Sequence, residues 1–76
     1  MKIYVNNLYN NQICILNHIE LIDQVRSIEL IISNKFNIPI DTFYLTSCNE
    51  LLHRDFLLIH TNIYKYSNPT IIFYYK

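Results

Sequence analysis

The chain opens with apolar and polar residues in alternation. In the stretch KIYVN, Ile3 and Val5 fall on one side of an extended backbone and Tyr4 falls on the other, which predicts a strand with one buried face. The asparagines of NNLYNNQ follow, and Asn10 and Asn11 tolerate the left-handed conformations of a tight turn. We therefore expect a β-hairpin that begins at the first residue.

The second strand of this hairpin is predicted in QICIL, where alternation resumes. We expect Ile13 and Ile15 to be its buried residues, since they alternate with its other positions.

From Leu21 the apolar period changes to that of an amphipathic helix. The residues at this spacing are Ile22, Val25, Ile28 or Glu29, Ile32 and Phe36. A helix of about three turns is predicted over residues 23–34, with Asp23 as its N-cap. Pro39 forces the residue before it out of helical conformation, and Asn37 suits the left-handed position that usually follows a helix.

Strand patterns return after the helix. TFYLTS predicts a short strand with Phe43 and Leu45 on one side. A tight turn is expected at Cys48-Asn49, followed by a minimal strand in ELL. HRDFLLIHTNI has no clean period and is predicted to hold loop and one helical turn. In PTIIFYYK, the core side is predicted to hold Ile71, Phe73 and Tyr75. The predicted fold is a single α+β domain over residues 1–76, in the order β-β-α-β-β-β.

Composition narrows the function classes. The chain has 76 residues, 51% hydrophobic and 16% charged, with a formal net charge of zero. The high hydrophobic content argues against a disordered chain. No run of Lys or Arg indicates nucleic-acid binding, since phosphate binding needs clustered cations. No secretory signal or membrane-spanning run is apparent, so we expect a cytoplasmic or nuclear protein with Cys14 and Cys48 reduced. Glycine is absent, so asparagine is expected at positions of positive φ.

Four segments carry a family resemblance. MKIYV, the NIPID that closes the helix, FYLTSCNELL and TNIYKYS resemble the ubiquitin-like superfamily along essentially the whole chain. That resemblance implies a β-grasp fold, in which a mixed sheet packs on one amphipathic helix and the last strand lies beside the first.

The C-terminal segment departs from conjugated ubiquitin relatives, which end in Gly-Gly. Tyr74-Tyr75-Lys76 instead resembles the double-tyrosine ending of the ubiquitin-like splicing modifier family. This resemblance implies non-covalent protein binding in a larger assembly such as the spliceosome, a ribonucleoprotein complex of mRNA splicing. A subunit of a ribosomal or ubiquitin-ligase-type complex is an alternative. A covalent modifier made as a longer precursor is another, although we predict no thioester with a ubiquitin-activating enzyme.

The two resemblances imply different binding residues. In the splicing modifier, an acidic residue near the helix start contacts an arginine of its partner, and Glu20 or Asp23 corresponds to it. Helix capping is the competing role for these carboxylates. The ubiquitin recognition patch aligns its central position with Thr46. Its flanking positions align with Leu8 or Tyr9 and with Ile72 or Tyr74.

Strand alternation supplies a further candidate site. If the core residues point toward the helix, the opposite side of the sheet holds Tyr4, Tyr44, Ile72 and Tyr74. A contiguous aromatic patch on a small domain is typical of a protein interface. The competing interpretation is that these side chains only stiffen the sheet by cross-strand pairing.

Metal binding and catalysis are disfavoured. Cys48, His53, Asp55 and His60 have the spacing C-x4-H-x6-H, which matches no zinc pattern of fixed offsets. A nucleophilic site would also need an orienting third group and a pocket. We therefore predict a non-enzymatic protein that binds protein partners and uses no cofactor, metal, membrane or small-molecule substrate.

Overall fold

The computed structural model describes residues 1–65 and 69–76, without the side chain of Tyr64. Strands β1 (Ile3–Asn7) and β2 (Gln12–Leu16) form the expected antiparallel hairpin. The last part of the TNIYKYS segment, Tyr66-Ser67, lies outside the described residues. The side chains of Ile3 and Val5 are fully buried, as predicted.

The predicted orientation of β2 was wrong. Ile13 and Ile15 are 63% and 47% exposed, whereas Leu16 is buried and Cys14 packs partly against the core. The four-residue turn pairs Asn7 with Gln12, and directly opposed residues face the same side of a sheet. Because Asn7 is on the core side with Val5, the isoleucines of β2 point the other way.

Helix α1 (Val25–Phe36) lies about two residues later than predicted. Its N-cap is Gln24 without a side-chain hydrogen bond, so the assignment of Asp23 as N-cap was wrong. The first helical N–H groups instead donate to carbonyls of a distant segment: Val25 N to Phe56 O at 2.9 Å and Arg26 N to Arg54 O at 3.2 Å. These bonds satisfy donors that a capping side chain would otherwise serve.

The backbone takes positive φ at five of the described residues, and three of them are asparagines: Asn11, Asn37 and Asn49. Asn37 ends the helix at φ 54° and ψ 49°, and its N–H donates to Ser33 O. The Cys48-Asn49 turn is confirmed, with φ of 51° and 67°. Asparagine therefore replaces glycine at most of these positions, although His18 and Cys48 also adopt the left-handed region.

The second half of the chain completes one sheet. Strands β3 (Phe43–Ser47), β4 (Glu50–Leu51) and β5 (Thr70–Tyr75) confirm the predicted strand order. The expected single helical turn is instead two 3-10 turns, Leu58–His60 and Asn62–Lys65, and a third, Ile40–Thr42, precedes β3. The spatial order is β2-β1-β5-β3-β4, with β1 and β5 parallel and the other pairs antiparallel. The fold is α+β, with a mixed five-stranded sheet and one α-helix.

The core lies between one face of the sheet and α1. Its buried hydrophobic residues are Ile3, Val5, Leu16, Ile19, Val25, Ile28, Ile32, Phe43, Leu45, Leu52, Leu58, Ile63, Ile71 and Phe73. Phe73 is central among the aromatic rings, with centroids 5.4 Å from Phe36 and 5.0 Å from Phe43. Tyr75, placed on this side by alternation, contacts Phe73 at 4.9 Å but remains 46% exposed at the end of the sheet.

One ion pair ties the helix to the loop that follows β4. Arg54 Nε donates to Glu29 Oε1 at 3.0 Å, and the Glu29 side chain is only 6% exposed. Arg54 Nη1 also donates to Asp41 Oδ1 at 2.9 Å. This hydrogen bond and the nearby guanidinium charge lower the pKa of Asp41 below its ordinary value of 3.8. A helix of the length and hydropathy required to cross a bilayer does not occur in the described part of the chain.

Candidate functional site

The sheet face opposite α1 is not covered by any described element, and we call it the open face. Strand register and alternation place ten side chains on it: Tyr4, Asn6, Ile13, Ile15, Tyr44, Thr46, Leu51, Thr70, Ile72 and Tyr74. Seven of the ten are aliphatic or aromatic, and none is charged. The solvated face of a sheet is ordinarily polar, so this composition needs an explanation.

A row of direct cross-strand neighbours runs across the middle of the open face, through all five strands. It consists of Ile13, Asn6, Ile72, Thr46 and Leu51. Ile13 and Leu51, at its two ends, are 63% and 50% exposed, while the three central residues are partly buried. The centre of the face is therefore a shallow apolar strip with two polar side chains set into it.

Tyr44 and Tyr74 form a stacked pair at one end of the open face. Their rings lie 5.4 Å apart between centroids at an interplanar angle of 14°, and the residues are direct partners in the β3–β5 ladder. Stacking fixes both rings at low cost in side-chain entropy. The pair is thus a preorganised aromatic platform beside Ile72.

Tyr4 lies at the opposite end and does not join that pair. Its direct neighbours are Ile15 on β2 and Thr70 on β5. Thr70 and Tyr74 are four positions apart along β5, a distance of about 13 Å. The predicted cluster of three tyrosines and one isoleucine therefore lies on one face, as expected, but Tyr4 is separate from the other two tyrosines.

Sequence reasoning missed three exposed aliphatic members of the open face. Ile13 and Ile15 were expected in the core, and Leu51 was assigned no role beyond its strand. The length of the β1–β2 turn is the signal that would have corrected this, because pairing Asn7 with Gln12 fixes the orientation of the next four residues. With these residues included, the apolar surface reaches both edges of the sheet.

The positions that align with the ubiquitin patch are only partly on the open face. Thr46 and Ile72 are direct neighbours there. Tyr9 instead packs on the core side, 4.6 Å from Tyr75 and 6.3 Å from Phe73 between ring centroids. Leu8, in the β1–β2 turn, is 51% exposed.

Glu20 and Asp23 lie away from the open face, in the connection between β2 and α1. Asp23 Oδ2 accepts a hydrogen bond from the Glu20 N–H at 2.9 Å, and Asp23 O accepts one from Leu58 N at 2.8 Å. The Asp23 carboxylate therefore braces its own loop, while Glu20 is exposed. A partner salt bridge at Glu20 stays a prediction.

The histidines of the 53–60 segment line a shallow depression with Glu50, Phe56 and Asn62. The rings of His53 and Phe56 lie 5.0 Å apart between centroids and are tilted by 48°. Within residues 1–65 and 69–76, no three His, Cys, Asp or Glu side chains are grouped closely enough to hold a metal ion.

The strand order also separates the two cysteines. Cys14 lies on β2 at one edge of the sheet and Cys48 lies in the β3–β4 turn near the other. Three strand spacings, about 14 Å, separate β2 from β3, whereas the Cα atoms of a disulfide lie within about 7 Å. The fold therefore cannot join these two residues to each other.

Comparison with known proteins does not assign the chain to a family. The sequence matches no model of a protein family and no curated protein.

Proposed function

We propose that the chain is a non-enzymatic, ubiquitin-like β-grasp module that binds a protein partner non-covalently through the open face. The observation that carries this proposal is the uncharged, largely apolar composition of a sheet face that reaches both edges. Large apolar patches on small domains usually mark sites of association, and tyrosine is favoured there. The Tyr44–Tyr74 pair and Ile72 would be the main anchors.

A protein partner with apolar side chains fits this face better than a nucleic acid. Tyrosines on a sheet can stack on bases, but such sites are accompanied by cations that follow the phosphate backbone. None of the ten open-face residues is charged, and six Lys and Arg residues are balanced by six Asp and Glu residues in the chain. The binding energy available here is that of apolar burial, which a protein surface supplies.

The family and the cellular setting are parts of the same proposal. A mixed sheet with the last strand between the first and third, packed on one helix, is compatible with the β-grasp fold that the sequence resemblance implies. The Tyr74-Tyr75 pair favours an assembly such as the spliceosome as the setting. The module would then act there as an adaptor or stable subunit.

Alanine variants of the aromatic pair test the proposal. Partners would be recovered from native cells with the wild-type chain, and the dissociation constant of each purified partner would be measured by calorimetry. We expect Tyr44→Ala and Tyr74→Ala each to weaken binding by about 1 to 3 kcal/mol, the range for aromatic anchors.

Two further variants complete the test, one as a matched control and one for the alternative site. Leu30→Ala removes a side chain that is 50% exposed on the helix, away from the open face, and should leave the affinity unchanged. Glu20→Lys tests the alternative site before the helix. Loss of binding in Glu20→Lys, with both tyrosine variants binding normally, would reject the open face as the interface.

A further inference from the structure

The two edges of the sheet differ in their protection against pairing with another strand. The β4 edge is two residues long and begins with Glu50, and short or charged edges resist added strands. The β2 edge is five residues long. Residues 3–17 contain no charged residue, no histidine and no proline, so β2 lacks the usual protective features.

The hydrogen-bonding groups that β2 turns outward belong to Ile13 and Ile15. Tyr4 N–H donates to Pro69 O at 3.0 Å, so the alternate residues of β1, Ile3, Val5 and Asn7, direct their backbone groups toward β2. Their direct partners are Leu16, Cys14 and Gln12. The N–H and C=O groups of Ile13 and Ile15 therefore point away from the sheet.

We propose that the β2 edge pairs antiparallel with β2 of a second copy of this chain, about a two-fold axis at Cys14. In this register Ile13 of each copy exchanges both backbone hydrogen bonds with Ile15 of the other, and Gln12 opposes Leu16. It is the one two-fold register that pairs the whole strand with itself while joining outward groups to outward groups. None of the paired residues, Gln12–Leu16, is charged, so the strand does not repel its own copy.

The size of the edge sets the strength of the dimer. A stable interface covers about 800 Å² per copy, which is about one-sixth of the 4833 Å² accessible surface of this chain. A single five-residue strand covers less than that, so the dimer should be weak and should form as concentration rises. Pairing would join two open faces into one ten-stranded surface, but the proposal does not depend on partner binding at that face.

Amide hydrogen exchange of the unmodified chain gives a direct test. We expect the exchange rates of the Ile13 and Ile15 amides to fall by about two- to threefold between about 50 µM and about 1 mM protein, as for a dimer with a dissociation constant of about 0.1 to 1 mM. The Cys14 amide, which donates to β1 within its own copy, is the internal reference. A monomer at the higher concentration would overturn the proposal, as would a dimer in which the two isoleucine amides exchange freely.

Cysteine cross-linking tests the register. In a Cys48→Ser variant, diamide should oxidise the two opposed Cys14 thiols to an intermolecular disulfide and be reduced to its hydrazine. Directly opposed residues of a non-hydrogen-bonded pair lie about 4.5 Å apart between Cα atoms, within disulfide range. The control is Gln12→Cys in a Cys14→Ser/Cys48→Ser background, which places the thiol on the same strand and the same face of the sheet. The two residues 12 would lie about 14 Å apart, so cross-linking at least about tenfold slower is expected; equal rates would overturn the register.

A backbone variant separates edge pairing from side-chain association. Ile13→Pro removes one outward N–H and none from the β1–β2 ladder, and proline is tolerated in this way on edge strands. Ile13→Thr removes the same aliphatic side chain but keeps the N–H. We expect sedimentation equilibrium to show dimer for the threonine variant and monomer for the proline variant. If both variants dimerise as the wild type does, β2 is not the interface.

Discussion

The two faces of the sheet are formed by the same strands, yet one face is buried and the other is exposed. On the helix side, Ile3, Val5, Phe43, Ile71 and Phe73 are all fully buried. On the open face, the residues between them are exposed or only partly buried, although most of them are also apolar. Alternation therefore assigns residues to a face, but the helix determines which face becomes the core.

The difference lies in how much each face needs a partner. The helix side is completed within the chain, with α1 covering it and Arg54 holding the helix to the loop after β4. The open face is largely apolar, as buried surfaces are, but no element of the described chain packs on it. Substitutions on the helix side should therefore change folding, and those on the open face should change association.

The largest expected effect is on the helix side. Phe73→Ala removes a fully buried ring that packs against Phe36 and Phe43, and should cost about 3 to 5 kcal/mol of folding stability through the cavity it leaves. Urea denaturation followed by circular dichroism measures this. The adjacent Tyr74→Ala, on the open face, should cost no more than about 1.5 kcal/mol, the upper range for loss of one aromatic pair. Equal losses in the two variants would show that the two faces had been assigned incorrectly.

The buried ion pair gives the next largest effect. Arg54→Met leaves the buried Glu29 carboxylate without its guanidinium and should lower stability by about 2 to 3 kcal/mol. The matched control is the double variant Glu29→Met/Arg54→Met, which removes the charge as well. Denaturation should show that the double variant regains most of the loss. If the double variant is no more stable than Arg54→Met, the unpaired Glu29 carboxylate is not the cause of the loss.

A double-mutant cycle sharpens the comparison on the open face. The stacked geometry of Tyr44 and Tyr74 predicts a coupling free energy of about 0.5 to 1.5 kcal/mol in folding stability. The cycle compares both alanine variants and their combination by chemical denaturation. Tyr4 and Tyr74, which lie on the same face without contact, form the reference pair and should show coupling below about 0.5 kcal/mol. Equal coupling in both cycles would rule out the stacked contact as its source.

The smallest effect is the pH dependence at Asp41. Its pKa is lowered in the folded state by the hydrogen bond and charge of Arg54, so its contribution is present above its ordinary pKa of 3.8 and is lost as pH falls through the lower folded value. We expect Asp41→Asn to lower the melting temperature slightly at about pH 6, and the gap to close toward about pH 2. A gap that widens on acidification would contradict this direction.

The sequence predicted the central strands well and the edge strand poorly. In β1, β3 and β5 the aliphatic and phenylalanine side chains concentrate on one side, which includes Val5, Leu45 and Phe73. The other side of these strands holds mainly tyrosine, threonine and asparagine. QICIL is apolar at both parities, so alternation alone cannot choose between Ile13 and Leu16. The turn length made that choice.

Only part of the candidate site was accessible from sequence. The shared side of Tyr4, Tyr44, Ile72 and Tyr74 followed from alternation, because these residues lie on strands whose core parity is clear. The separation of Tyr4 from the Tyr44–Tyr74 pair did not, because it depends on register between strands distant in sequence. The prediction of the helix N-cap failed for a related reason. The first N–H groups of α1 donate to Phe56 O and Arg54 O, about thirty residues away.

By itself, the sequence determined the element order, the apolar side of the central strands and the left-handed backbone conformations of Asn37 and Asn49. These features depend on residues close together in the chain, where steric and hydrophobic preferences act directly. Tertiary structure alone decided the orientation of β2, the cap of α1, the exposed edge and the uncovered face. Each of these depends on pairing or cover by residues far along the chain, and local preference holds no information about which distant segment will supply it.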